Sequence, residues 1–260
     1  MAETFEMVRY RIGSPKLLSP VRILLLGDLH MTEHGPRNAG LLDAVREECP
    51  DLVLCTGDMI NCSEPERSDV ASDLFRELAA AAPVCAVNGN HETKVKMQDR
   101  EAYDVYMKKL RGSRVNVLNN RSMRVRVNGN AIDVTGLELP RSCYRKFRRH
   151  ALRADVIRKK IGVPHEGVFT VLLAHNPYFA ETYFEWGADL TLSGHNHGGV
   201  MRIGRQSLLS PYGYPLPKYG YGHFEKDGRH LVITSGLGEH TIPFRIMNPM
   251  EAVLVEASPL

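Results

Sequence analysis

Side chains able to hold cations or move protons stand in five short blocks: Asp28-Leu29-His30, Gly57-Asp58, Gly89-Asn90-His91-Glu92, Ala174-His175-Asn176 and Gly194-His195-Asn196-His197. Carboxylate oxygen, amide oxygen and neutral imidazole nitrogen, with no thiolate among them, are the donors that suit borderline-hard divalent ions. Each block alone is a weak signal. A Gly-Asp pair after a strand is an ordinary turn or helix cap. An isolated His175 fits a satisfied core position, and His195 and His197, two apart, fit an exposed strand end. The coincidence of all five in one chain is what points to a metal centre.

Every block closes a run that reads as a strand. Residues 21–28, 51–58, 84–90, 169–175 and 188–195 are short continuous apolar runs of the kind buried on both faces of a sheet. Between them, residues 38–49, 66–82, 99–111 and 178–186 have helical spacing and composition. Residues 123–127 and 131–137 flank Asn128-Gly129-Asn130, an Asn-Gly hairpin signal, and residues 231–234 and 252–255 are further short strands. The expectation is an α/β core that acquires antiparallel strands, as one domain over residues 1–260. In such sheets ligands sit beyond the carboxyl ends of the strands, so five strand ends deliver Asp, His and Asn to one edge. The glycines that precede the polar residues suit tight turns and close backbone approach.

The chain of 260 residues has a formal net charge of +3, with 43% hydrophobic and 24% charged residues. That composition excludes disorder, collagen and coiled coil. The first residues mix Glu3, Glu6, Arg9 and Arg11 with scattered apolar side chains, so no signal peptide is read, and no apolar run approaches a membrane span. Cys49, Cys55, Cys62, Cys85 and Cys143 form an odd set without CxxC spacing, which favours a reducing cytoplasm. Charge is uneven. Between residues 141 and 160, Arg141, Arg145, Lys146, Arg148, Arg149, Arg153, Arg158, Lys159 and Lys160 face only Asp155, a local +8 that leaves −5 for the rest. A solvated surface is the default for such a run. The functional readings are attraction of a phosphate-rich substrate, peripheral contact with an anionic membrane, or a nucleic-acid backbone. Only Tyr144 and Phe147 interleave with the cations, which weighs against nucleic acid.

The five blocks, in order, spacing and strand context, resemble the signature of the calcineurin-like metallophosphoesterases. Gly198-Gly199, Tyr219-Gly220-Tyr221, Ser235-Gly236-Leu237-Gly238, and Pro243-Phe244-Arg245 before Asn248-Pro249-Met250-Glu251 resemble more closely the bacterial cell-envelope-associated phosphodiesterases. Relatives in that subgroup usually carry an N-terminal anchor or export signal, which these residues do not display. The resemblance implies a β-sandwich of mixed sheets flanked by helices, with a dinuclear metal site at the strand carboxyl ends. It also implies that Asp28, His30 and His197 hold one ion, that Asn90, His175 and His195 hold the other, and that Asp58 bridges them. A carboxylate is the natural bridge, since it offers two oxygens and offsets the charge of both cations.

The function so implied is hydrolysis of a phosphodiester or pyrophosphate bond, with two metals clamping the phosphoryl oxygens and activating a bridging hydroxide. Mn2+ is preferred on the resemblance, with Fe and Zn as alternatives. His91 reads as the group that protonates the leaving oxygen or stabilises the transferring phosphoryl, or as a support that orients Asn90. Glu92 reads either as an acceptor for a metal-bound imidazole or as the opening residue of a helix. His34, Arg37 and Asn38 form a polar loop leading into a helix, or reach a substrate phosphate. Residues 201–224, with Tyr212, Tyr214, Pro215, Pro217, Tyr219 and Tyr221, are either an aromatic wall near His197 or plain loop packing. A small-molecule or lipid-linked phosphoester is the expected substrate. The rivals are a nuclease or a phosphomonoesterase on the same metal site, and a docking scaffold of the same fold.

Overall fold

Strands with apolar side chains on both faces must be covered twice, and the chain meets that demand with two sheets packed face to face and helices outside them. The structure is a computed structural model and describes residues 5–145, 151–199, 201–210, 213, 215–239 and 245–260. The strands are β1 (Phe5–Gly13), β2 (Val21–Leu26), β3 (Leu52–Cys55), β4 (Val84–Ala86), β5 (Asn116–Val117), β6 (Arg121–Val127), β7 (Asn130–Gly136) and β8 (Phe169–Leu173). They continue as β9 (Leu190–Ser193), β10 (Arg202–Ile203), β11 (Gln206–Ser207), β12 (Gly222–Lys226), β13 (Arg229–Ile233) and β14 (Met250–Ser258). The helices are α1 (Ala39–Glu48), α2 (Asp69–Ala81), α3 (Asn90–Gln98), α4 (Arg100–Gly112), α5 (Ala154–Ile161) and α6 (Ala180–Trp186).

One sheet runs β1-β14-β2-β3-β4-β5, the other β12-β13-β9-β8-β7-β6, and β10 pairs only with β11. Within the first, β2, β3, β4 and β5 are parallel, as are β1 and β14, while β14 meets β2 antiparallel. Within the second, β13, β9, β8 and β7 are parallel and the outer pairs are antiparallel hairpins. The mixed sandwich expected from the sequence is therefore present.

Period-two alternation assigns each strand residue its layer. Ile23, Leu25, Leu52 and Leu54 face Val134, Phe169, Val171 and Leu192 of the other sheet in the shared core. Leu24, Leu26, Val53 and Cys55 point outward to α1, α2 and α4. Helix α2 presents Ala71, Leu74, Phe75 and Leu78, a three-and-four spacing that builds one apolar stripe. On the opposite face Leu172 and Ala174 pack against Ile157, Tyr183 and Trp186 of α5 and α6. The layers are helix, sheet, sheet, helix.

The five strands that lead into the polar blocks end two or more residues earlier than their apolar runs, so the Asp, His and Asn residues lie beyond them, on loops or, for Asn90 and His91, in the first turn of α3. Asn128 and Gly129 adopt φ of 48° and 78°, as the hairpin between β6 and β7 requires. Strand β1 was not expected. Its side chains are half exposed along most of its length, so neither face gives a clean alternation. Among the described residues no helix is long and apolar enough to cross a membrane.

Candidate metal centre

The parallel strands aim their carboxyl ends at the seam between the two sheets, and the polar loops meet there. The first sheet supplies Asp28 and His30 after β2, Asp58 after β3, and Asn90 and His91 in the first turn of α3 after β4. The second supplies His175 after β8, and His195 and His197 after β9. Backbone bonds tie the loops together: Gly194 donates to the His175 carbonyl at 3.0 Å and Asp28 donates to that of Gly57 at 2.9 Å.

Asp28, His30, Asp58, His195 and His197 all take left-handed backbone, with φ of 50°, 46°, 53°, 66° and 47°. Such conformations cost a non-glycine residue on the order of 1 kcal/mol each and are retained where a site needs them. The neighbouring glycines do a different job. A Cβ at Gly89 would lie 2.2 Å from Asp58 Oδ1, and one at Gly194 would lie 2.2 Å from Asp28 Oδ2. They make room for the carboxylates, while the turns themselves are made by the polar residues.

Two donor groups result. Asp28, His30 and His197 form one, with His197 Nε2 at 3.3 Å from Asp28 Oδ1 and His30 Nε2 at 3.1 Å from His197 Nε2. Asp58, His175 and His195 form the other. Asp58 Oδ2 stands 3.1 Å from His175 Nε2 and 3.9 Å from His30 Nε2, so it reaches both. The donors fit cations. Asn90 Oδ1 and His175 Nε2 are buried polar atoms without a hydrogen-bond partner. The 3.1 Å approach of His175 Nε2 to Asp58 is too poorly aligned to be a hydrogen bond, as expected of two lone pairs aimed at a common point. His175 Nδ1 lies 2.8 Å from the Thr56 carbonyl, which only accepts, so the ring proton sits on Nδ1 and the Nε2 lone pair faces the site.

Burial would lower the His175 pKa, but Asp58 and then Asp28 outweigh it and draw the ring up to about 9, a pull that cations held on those carboxylates would offset. Burial alone would push the two carboxyl groups up, but His197 and His175 beside Asp28, and His175 and His91 beside Asp58, hold both below the usual carboxylate range. Burial lowers His30 to about 3 against the pull of Asp58, and drives His195 well down with His175 adding to it. Both are therefore neutral, ligand-competent imidazoles at neutral pH.

His91 differs. Its ring stands 4.6 Å from that of His30, and it forms a third possible donor group with His30 and Asp58. Burial would lower its pKa, but Asp58 outweighs burial and draws it up to about 9, a pull that cations held on Asp58 would offset. The Cys62 amide donates to His91 Nδ1 at 3.1 Å, which makes Nδ1 the acceptor and leaves the ring proton on Nε2. A protonated Nε2 is a donor, which sets His91 apart from the ligands.

Several positions act through others. Glu92, buried at the third position of α3, accepts the amides of Asp58, Met59, Ile60 and Gly89 at 2.7–3.2 Å. It opens the helix, and it also clamps the Asp58 loop onto it. Replacing Glu92 by Gln puts an NH2 group against amides that only donate. Chemical denaturation should show a loss of about 2–3 kcal/mol, the worth of bonds to a charged acceptor, and metal affinity should fall roughly 10–100-fold. Wild-type stability in E92Q would mean that something else holds the loop. Arg245 Nη2 donates to the Ser235 carbonyl and sits 3.1 Å from His197 Nδ1, and Asn248 Nδ2 donates to the carbonyls of His197 and Gly199. The Tyr144 ring meets His195 edge-on at 5.2 Å.

His34 and Asn38 are buried, with His34 Nε2 bonded to the Leu237 carbonyl, so they pack the loop. Tyr221 is buried and donates to Glu251, while Tyr219 donates to Glu181, which is loop packing. Tyr212 and Tyr214, residues 146–150, and Pro243 and Phe244 lie outside the described residues. A cavity of about 1200 Å³ opens over the centre, lined at its inner end by His30, Asp58, Asn90, His91, His195 and His197.

Comparison with known proteins gives a consistent picture. The family model for calcineurin-like phosphoesterases matches residues 21–199. The chain is similar to phosphodiesterase YaeI of Escherichia coli (strain K12), 27% identical over 243 residues, which span 90% of this chain and 82% of that one. It is also similar to YpbG of Bacillus subtilis (strain 168), 27% identical over 244 residues, spanning 94% of this chain and 81% of that one. Among solved structures, a 5′-nucleotidase precursor from Thermus thermophilus superposes with a TM-score of 0.55 at 17% identity, covering 85% of this chain and 50% of that one, a likeness of fold alone. The motif residues gathered at the seam all fall within the 21–199 match, and the chain belongs to the calcineurin-like phosphoesterase family.

Proposed function

We propose that this chain is a metal-dependent phosphodiesterase that acts in the cytoplasm on a small-molecule or lipid-linked substrate, with manganese as its ion. The observation that carries the reading is the pair of donor groups sharing Asp58 at the inner end of one cavity. The name of the similar phosphodiesterase YaeI supports the diester preference, and five unbridged thiols support the reducing compartment.

Asp28, His30 and His197 would hold one cation, Asn90, His175 and His195 a second, and Asp58 both. Bound there, the ions would supply Lewis acidity toward the phosphoryl oxygens and the attacking water. The chain's own residues do the rest. The Cys62 amide fixes the His91 ring so that Nε2–H is left to donate a hydrogen bond to the leaving oxygen or the transferring phosphoryl group. The His175 and Asp58 loops hold their donors rigidly, through Thr56 and Glu92. The exposed cations Arg145, Arg153, Arg158 and Lys159 belong to a segment we assign to attraction of anionic substrate or membrane. Glu33, Glu64 and Glu239 line the cavity mouth and weigh against a nucleic-acid strand.

An activity panel tests the reading. With Mn2+, the purified chain should hydrolyse bis-p-nitrophenyl phosphate and a nucleoside diphosphate sugar faster than p-nitrophenyl phosphate, leave single-stranded DNA intact, and lose activity in EDTA. Rates indifferent to EDTA, or hydrolysis confined to the monoester, would overturn it.

A further inference from the structure

The cavity is larger than one phosphoryl group needs, and the candidate ligands occupy only its inner end. Lys94 stands in the wall beyond them. It lies on α3 three residues after His91 and four after Asn90, so the three share one side of the helix, and all three line the cavity. Lys94 is half-buried and forms no ion pair with any described residue. The contrast with its neighbours is informative. Lys96, two residues on, pairs with Glu138 at 3.3 Å, and Arg67 on the same cavity wall pairs with Glu64 at 2.6 Å. The group beside Lys94 is the Cys62 thiol, a weak acceptor that leaves most of the ammonium's hydrogen-bonding capacity unused. A half-buried cation without a counter-charge is costly to keep. A ligand that brings an oxyanion to this place removes that cost. Around it the mouth carries the carboxylates of Glu33, Glu64 and Glu239, which repel a long polyanion but leave room for a compact one.

We propose that Lys94 anchors a second oxyanion subsite, and that the substrate is a compact phosphoanhydride-linked diester whose leaving phosphoryl group sits on Lys94. This rests on the phosphodiesterase reading above and narrows it. In the reaction the oxygen of water bonds to the scissile phosphorus and the bridging P–O bond breaks with its electron pair on the leaving oxygen. That oxygen leaves as a phosphate oxyanion that accepts a hydrogen bond from His91 Nε2–H, and the proton lost by water passes to the product phosphates or to solvent. One anhydride and one water give two phosphomonoesters. Lys94 acts by holding the anionic oxygens that the leaving phosphoryl group already carries in the substrate, which fixes its position.

The test compares the wild type with Lys94→Met and Lys94→Arg, all with Mn2+ in fixed excess. On a nucleoside diphosphate sugar, Lys94→Met should lower kcat/KM about 10–100-fold, the usual worth of a charge-assisted hydrogen bond, mostly through KM, and Lys94→Arg should recover part of it. The loss should exceed that on bis-p-nitrophenyl phosphate, which has no second phosphoryl group, by roughly tenfold or more. Equal losses on both substrates would overturn the subsite. Calorimetric binding of ADP and AMP gives a readout that needs no turnover. The wild type should bind ADP at least about tenfold more tightly than AMP, and Lys94→Met should close that gap. An unchanged gap overturns the subsite whatever the kinetics show. A wild type that cleaves neither diester, yet shows an ADP preference that depends on Lys94, would overturn the phosphodiesterase reading and leave the subsite standing.

Discussion

Asp58→Asn is expected to leave a folded protein that no longer gathers two cations and has lost on the order of 10³–10⁴ in kcat/KM, the worth of several kcal/mol of charge stabilisation. Asn is isosteric and keeps the oxygen that accepts the His91 amide at 2.7 Å, so α3 should stay docked. What disappears is the anion whose oxygen stands 3.1 Å from His175 and 3.9 Å from His30, at the meeting point of both donor groups. The metal-free protein should lose some stability as well, because His175 and His91 hold the Asp58 carboxyl below its usual range, an attraction that outweighs the repulsion between Asp58 and Asp28. The two effects separate in thermal unfolding. An ion at 100 times its Kd adds about 2.7 kcal/mol, so excess Mn2+ should raise the wild-type Tm by roughly 5–10 °C and the variant's by little. Elemental analysis should approach two ions per wild-type chain and fall below that in the variant. Two tightly held ions in Asp58→Asn would show that the bridge lies elsewhere.

The convergence of the candidate ligands was legible in the sequence because strand geometry converts a local pattern into a place. A run such as Leu24-Leu25-Leu26 declares a buried strand, and Gly27-Asp28 must then stand at its carboxyl end. Five such declarations fix a common edge without any knowledge of pairing. The supports were not legible, for the same physical reason inverted. The Thr56 carbonyl that orients His175 is a backbone atom 119 residues away, and no side-chain pattern marks it. Arg245 and Asn248 reach His197 across about fifty residues through contacts that only the fold creates. Glu92 was visible as a helix-opening carboxylate, but its grip on Asp58, Met59 and Ile60 depends on how two loops lie side by side. Strand β1 escaped notice because it pairs in parallel with β14, the last strand of the chain, and half-exposed side chains blur its period. The glycines were read as serving tight turns or close approach: Gly89 and Gly194 show the close approach, while at Asp28, His30, Asp58, His195 and His197 the polar residue itself takes the left-handed turn.

His91→Ala should separate chemistry from binding. The ring is held by the Cys62 amide on Nδ1, so its remaining proton is on Nε2, and its removal leaves every atom of the two groups centred on Asp28 and Asp58 in place. Metal content and the Mn2+-induced rise in Tm should therefore match the wild type, while kcat falls by about 10²–10³, the usual worth of one fixed donor aimed at developing negative charge. The size of the loss should depend on the leaving group. p-Nitrophenolate departs with its charge spread over the ring, so a diester with p-nitrophenol as leaving group should lose less than one with an alkoxide, whose localised charge depends more on the His91 hydrogen bond. A loss independent of the leaving group would reassign the His91 hydrogen bond from the leaving oxygen to the transferring phosphoryl group. Loss of metal as severe as in His195→Ala would instead place His91 among the ligands, in the group it forms with His30 and Asp58. That outcome would also require the ring to turn, because a nitrogen that carries a proton cannot bind a cation and the other is engaged by Cys62.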